Sequence, residues 1–171
     1  MSHSAIEIER KYIIELPDPS ALEAEEGYTV SRIEQIYLDS PKGETLRIRR
    51  REWQGRVEYI ETRKVRIDKM SALESERYLT ADEYADLARG IAEGTRPIYK
   101  TRHTFVYKGQ TFEVDVYPQW QRSCIMETEL KDRDTEVAFP AIIRVIREVT
   151  GIKAYSNASM SKAFPAEEEL I

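Results

Sequence analysis

Charged side chains recur at every second position along several segments of this 171-residue chain, and that period of two most restricts how it can fold. Side chains at i and i+2 leave a β-strand on one face, so each segment reads as a strand with a charged face and an apolar face. Ile6 and Ile8 alternate with Glu7, Glu9 and Lys11, and Leu46 and Ile48 with Arg47, Arg49 and Arg51. Phe112, Val114 and Val116 alternate with Glu113 and Asp115, and Met126, Thr128 and Leu130 with Glu127 and Glu129. The pairs Lys100 and Arg102, Thr62 and Lys64, and Glu74 and Glu76 repeat the spacing. One such pair is ordinary solvated surface, screened by salt. Repetition across seven strands is not, because like charges side by side repel and need compensation. A face carrying both carboxylate pairs and cation pairs describes a lumen that binds metal ions and a polyanion.

Other elements follow from the same reading. Strands are predicted over 6–15, 28–38, 44–53, 56–67, 73–79, 104–107, 111–117 and 123–131, with hairpins around Gly55 and Lys108-Gly109-Gln110. Thr80 and Glu83 form a capping-box pattern ahead of Tyr84, Leu87 and Ile91 at helical spacing. The apolar stripe Ile142, Ile143, Val145, Ile146 and Val149, ending at Gly151, predicts a helix over 140–150. Shorter helices are expected over 17–26 and 157–164, and a solvated, frayed tail at Glu167-Glu168-Glu169. With no internal repeat and no dividing linker, residues 1–171 form a single domain. Its class is α+β: a mostly antiparallel sheet of about eight strands, or a barrel, with helices packed outside.

Composition narrows the function. Twenty-six basic against 31 acidic residues leave a net charge of −5, which argues against a general nucleic-acid binder. The lone cysteine, Cys124, lies in an apolar run and reads as a buried small hydrophobe; a chain with one cysteine has no internal disulfide and suits a reducing compartment. No signal peptide and no membrane-length apolar run is evident, so the expected location is the cytoplasm. His3 and His103 stand far apart, which leaves no paired-histidine metal motif. No GxxxxGK[ST] loop occurs, which excludes a P-loop enzyme. Trp53, Trp120, Tyr117 and Tyr155 read as packing residues. The remaining parts are hard carboxylate oxygens, which suit Mg2+ or Mn2+, and a set of Lys and Arg able to grip phosphate oxygens.

In chain order, Glu7-x-Glu9-x-Lys11, Leu46-Arg47-Ile48-Arg49, Thr62-Arg63-Lys64, Lys100-Thr101-Arg102, Phe112-Glu113-Val114-Asp115, Glu127-Thr128-Glu129-Leu130, Glu148-Val149-Thr150 and Tyr155-Ser156-Asn157 resemble the signature elements of the CYTH superfamily, the triphosphate tunnel metalloenzymes. The resemblance implies a closed eight-stranded antiparallel tunnel with a hydrophilic, charged interior. It implies metal-binding acids at Glu7, Glu9, Asp115, Glu127 and Glu129, and triphosphate-binding cations at Lys11, Arg47, Arg49, Lys64, Lys100, Arg102 and Lys162. Glu7, Glu9, Lys11 and Glu129 are the expected catalytic group. Glu74, Glu76, Glu113 and Arg51 fit either the site or an internal ion-pair network. Small members of the superfamily that begin EIERK resemble bacterial triphosphatases most. The expected activity is therefore metal-dependent hydrolysis of a small triphosphate, inorganic tripolyphosphate first, by a monomer or homodimer. A class IV adenylate cyclase, a thiamine or nucleoside triphosphatase, and a non-catalytic polyphosphate- or nucleotide-binding module are the alternatives.

Overall fold

The computed structural model describes residues 3–170, and side chains from residue 4 onward. Its strands are β1 His3–Glu15, β2 Glu26–Leu38, β3 Glu44–Trp53, β4 Arg56–Arg66, β5 Ser71–Leu79, β6 Ile98–Tyr107, β7 Gln110–Val116, β8 Ser123–Glu129 and β9 Val145–Glu148. Among the described residues these strands pair in antiparallel fashion throughout. The order is β5-β4-β3-β2-β6-β7-β8-β1, and β5 returns to pair with β1, so eight strands close into a barrel as the resemblance implies. Closure sets Ile6 opposite Leu73 and Glu7 opposite Ala72. The other edge of β1 is paired from Glu9 to Glu15 with β8. The hairpin loops Gln54-Gly55 and Lys108-Gly109 both take positive φ at their two residues, the mirror-image turn that matches strand twist.

Register makes the period of two visible in space. Lys11 lies opposite Glu127, Glu127 opposite Glu113, Arg102 opposite Asp115, Arg47 opposite Thr62, and Lys64 opposite Glu74. Every one of these residues faces the barrel interior. The alternate positions face outward and build two apolar layers. Tyr12, Ile14, Phe105, Phe112, Val114, Cys124 and Met126 pack beneath Leu22 and Ile143. Ile36, Ile48 and Leu79 pack beneath Tyr84. Leu22 comes from helix α1, Pro19–Glu23, capped by the Asp18 side chain. Tyr84 comes from helix α2, Ala81–Ala88, whose Thr80–Glu83 capping box forms as the sequence predicts.

A third layer occupies one end of the barrel from inside. Two residues beyond the charged positions, the inward face turns apolar: Ile13 follows Lys11, Tyr117 follows Asp115, and Ile125 and Ile98 precede Glu127 and Lys100. Trp120, Tyr155, Met160 and Leu170 pack against these residues, so the C-terminal segment fills this end. Helix α3, Asn157–Met160, is shorter than the 157–164 prediction and belongs to that plug. The acidic tail is docked, not frayed: the Glu167 carboxylate accepts from the backbone N–H of Gln121 at 3.1 Å and of Arg122 at 2.6 Å, and Leu170 is buried.

The helix predicted over 140–150 is replaced by a turn and strand β9, which pairs with β1 over Tyr12–Ile14. β5 leaves that edge of β1 after Ile8, so its backbone groups need a partner, and β9 supplies one. The stripe also serves two cores. Ile143 enters the outer layer while Val149 enters the inner plug, which one helix face could not do.

Candidate active site

Inward charge and the plug together line a cavity of about 1120 Å³ that stays open to solvent. Nine basic side chains against seven acidic ones line it, in a chain whose net charge is −5. Lys11, Arg47, Arg49, Lys64, Arg102 and Lys162 all reach the lining, as do Glu7, Glu9 and Glu127. Strands β1, β3, β4, β6 and β8 supply them by alternation; only Lys162 comes from the C-terminal segment.

Beneath the cavity lies a buried ion network. Arg102 forks onto Asp115, with Nε 2.7 Å from Oδ1 and Nη2 2.7 Å from Oδ2, and its Nη1 donates to Glu113. Lys100 Nζ lies 2.6 Å from Asp115 Oδ2, and the Lys100 side chain is fully enclosed. Neither Lys100 nor Asp115 lines the cavity, although both were expected to meet ligand or metal. Burial, reinforced by Arg102, pushes the Lys100 ammonium down to about 7. Burial would raise the Asp115 carboxyl, but Arg102 and Lys100 outweigh it and hold it at about 2. With both oxygens engaged by cations from β6, this carboxylate ties β7 to β6.

On one wall, Lys11 Nζ lies 2.7 Å from Glu127 Oε1. Burial pulls the Lys11 ammonium down, yet Glu127 and Glu9 together hold it above its ordinary value. Two strands away, across β5, Lys64 Nζ stands among three carboxylates: 3.5 Å from Glu7, 3.5 Å from Glu9 and 3.3 Å from Glu74. Burial, with Glu74 beside it, raises the Glu7 carboxyl to about 7. Glu129 is register partner to Glu9 and sits exposed outside the cavity lining; burial, then Glu113 and Glu9, raise its carboxyl.

Arg47 and Arg49 complete the cationic side. Arg47 Nη2 lies 3.4 Å from Glu74 Oε1, but its Nε is buried with no hydrogen-bond partner. Arg49 donates from Nε and Nη2 to the amide oxygen of Gln35, at 3.3 and 3.2 Å. Of the undecided residues, Glu74, Glu76 and Glu113 join the cavity's ion pairs and hydrogen bonds. Arg51 instead stacks on Trp53, 4.9 Å from its ring, and lies 4.0 Å from Glu58.

The structure adds residues that the motifs do not mark. Arg66 and Thr45 line the cavity and simply extend the alternations 62-64 and 47-49, so parity could have found them. Tyr37 and Gln35 share the inward face of β2 by the same rule. Lys69 comes from the turn between β4 and β5, Lys153 from a short 3-10 turn, and Ser156 and Ser159 from the cap and body of the one-turn α3, all too short for a period to mark them.

The acids offer hard oxygen donors, and two features fit a divalent cation among them. One is the raised Glu7 carboxyl within a crowd of carboxylates. The other is the buried Glu74 Oε2, whose one charged neighbour is the Lys64 ammonium at 3.3 Å that Glu7 and Glu9 share. Among the described residues no three metal-ligating side chains stand ready assembled; Lys64 is the cation now seated between them.

A closed antiparallel barrel whose inner face pairs acids with cations defines a charged tunnel fold. The model of the CYTH domain family matches residues 5–163, and the chain belongs to that family. Among solved structures it is similar to the inorganic triphosphatase NE1496, with 26% identity, a TM-score of 0.58, and coverage of 94% of this chain and 97% of that one. It is similar also to the PH1819 protein of Pyrococcus horikoshii OT3, at 28% identity and a TM-score of 0.55, covering 75% and 80% of the two chains. A putative adenylate cyclase from Bacillus halodurans, at 20% identity and a TM-score of 0.50 over 75% and 82%, shares the fold. Among curated protein sequences none matches.

Proposed function

We propose that this protein hydrolyses a small triphosphate, inorganic tripolyphosphate foremost, to pyrophosphate and phosphate. One observation carries the reading: an acidic molecule places an excess of basic side chains in one cavity, interleaved with a group of carboxylates. A phosphate chain threads such a cavity by exchanging internal ion pairs for its own. Arg47, Arg49 and Arg102 offer planar forks to non-bridging oxygens, while Lys11 and Lys64 act as point charges. As phosphate takes over Lys64, the carboxylates of Glu7 and Glu9 lose their internal cation. They would then hold Mg2+ or Mn2+ together with Glu127 and Glu129. The metal ion, when bound, supplies charge neutralisation across phosphate oxygens and a polarised water. Asp115 and Lys100 act from below by fixing Arg102. The similarity to the inorganic triphosphatase NE1496 supports the substrate class. Tyr37 is the one aromatic side chain among the described lining residues, which gives a nucleobase a single ring to stack on.

The test is a substrate panel with Mg2+ or Mn2+, following phosphate, pyrophosphate and cyclic AMP. Phosphate and pyrophosphate released from tripolyphosphate, faster than from ATP, is the expected result. Cyclic AMP with pyrophosphate from ATP would overturn it.

A further inference from the structure

Each buried cation of the barrel interior has a carboxylate within reach, with one exception among the described residues. Lys11 has Glu127, Lys64 has Glu7, Glu9 and Glu74, Lys100 has Asp115, Arg102 has Asp115 and Glu113, and Arg47 has Glu74. Arg49 is bonded instead to a neutral group, the amide oxygen of Gln35. Gln35 is itself fully buried, and its orientation is fixed because Nε2 donates to the Tyr37 hydroxyl at 2.7 Å. The charges that act most strongly on Arg49 are of its own sign. Burial, then Arg47 and Arg102, push its guanidinium down to about 10. Beside it the buried Nε of Arg47 also lacks a partner. Holding a guanidinium this way costs stability that a glutamate at position 35 would recover.

We propose that Gln35 is a positioning residue for substrate: it aims the Arg49 guanidinium into the cavity while leaving its charge unneutralised for a phosphate group. An acid here would hold the same geometry and cancel the charge; an apolar residue would keep the charge and release the aim. The amide does both jobs. This inference rests on the triphosphate-binding reading.

Two variants separate the two roles. Gln35→Glu keeps the acceptor and adds a charge; Gln35→Met removes the acceptor. Melting temperature without ligand, tripolyphosphate affinity by calorimetry without divalent metal, and steady-state kinetics with Mg2+ are measured for both variants and the parent. Gln35→Glu is expected to melt higher than the parent yet bind tripolyphosphate at least about tenfold more weakly, with the loss appearing in KM. Gln35→Met is expected to melt lower and also bind more weakly. A purely structural Gln35 predicts that affinity follows melting temperature, so a stabilised Gln35→Glu protein binding as tightly as the parent would overturn the proposal. The triphosphatase reading would survive that result. A parent protein that binds no tripolyphosphate overturns both, and one that binds but does not hydrolyse it leaves the Gln35 proposal to be decided by affinity alone.

Discussion

Five acids with one expected duty divide once their surroundings are known. Glu7, Glu9 and Glu127 reach the cavity, Glu129 sits exposed beside Glu9, and Asp115 lies beneath with both oxygens on cations. Strand parity made their shared inward face legible, because parity depends only on sequence. Their depth was not legible, because it depends on how far each strand has run before meeting the plug. The division is testable. Asp115→Asn should lose about 3 kcal/mol in denaturant unfolding, since it leaves Arg102 and Lys100 without their shared anion. Glu129→Gln should unfold like the parent and lose Mn2+ affinity in a metal titration. The reverse pattern would return Asp115 to the metal and Glu129 to the surface. Glu7 gives a second test. Its carboxyl rises from 4.5 to about 7, so across that window the folded chain binds more protons than the unfolded one. Its contribution to stability therefore falls as pH rises through the window, and above it an anion remains in a carboxylate crowd. A divalent cation bound there, as proposed, would relieve that anion. Mg2+ should raise the melting temperature more at about pH 8 than at about pH 6, and Glu7→Gln should remove most of the difference.

Among the elements, the segment from Pro140 to Thr150 is where pattern and structure part. Ile142, Ile143, Val145, Ile146 and Val149 fit a helical stripe, and Gly151 fits a helix stop. Yet the stripe is entirely β-branched, which favours extended backbone, and the open edge of β1 decides the matter. No periodicity within eleven residues contains information about a vacant edge formed by residues 12–14. Gly151 does have a local role, though not as a helix stop. Its φ is +71°, and a Cβ there would lie 2.9 Å from Lys69 Cβ and 3.2 Å from the Lys69 backbone oxygen. The chain leaving β9 thus crosses tightly against the turn between β4 and β5, and both Lys69 and Gly151 line the cavity. Gly151→Ala should cost about 2 kcal/mol or more, read as a lower denaturation midpoint with unchanged slope. An unaffected midpoint would mean that the crossing is loose.

At the scale of the whole molecule, the barrel was legible because it needs only the count and parity of charged strands. The plug was not, because its partners are single inward residues, such as Ile13 and Ile98, each lying two positions beyond a charge. Those residues read as ordinary strand hydrophobes until Trp120, Tyr155 and Leu170 arrive from far along the sequence. The plug has an electrostatic consequence. It fills one end of the barrel with low-dielectric side chains, so the excess positive charge of the lining acts on ligands in a confined cavity within an acidic surface. A negatively charged chain outside is repelled by most of the molecule and drawn to one place. Such steering depends on distances longer than a hydrogen bond and is therefore screened. Raising ionic strength from about 0.01 M to about 0.15 M shortens the screening length from roughly 30 to 8 Å. The apparent KM for tripolyphosphate should rise severalfold over that range while kcat, set by short-range contacts within the lumen, stays near its low-salt value. An indifferent KM would mean that the ligand is captured by contact alone and that the cavity's net charge serves only to hold the phosphate once inside.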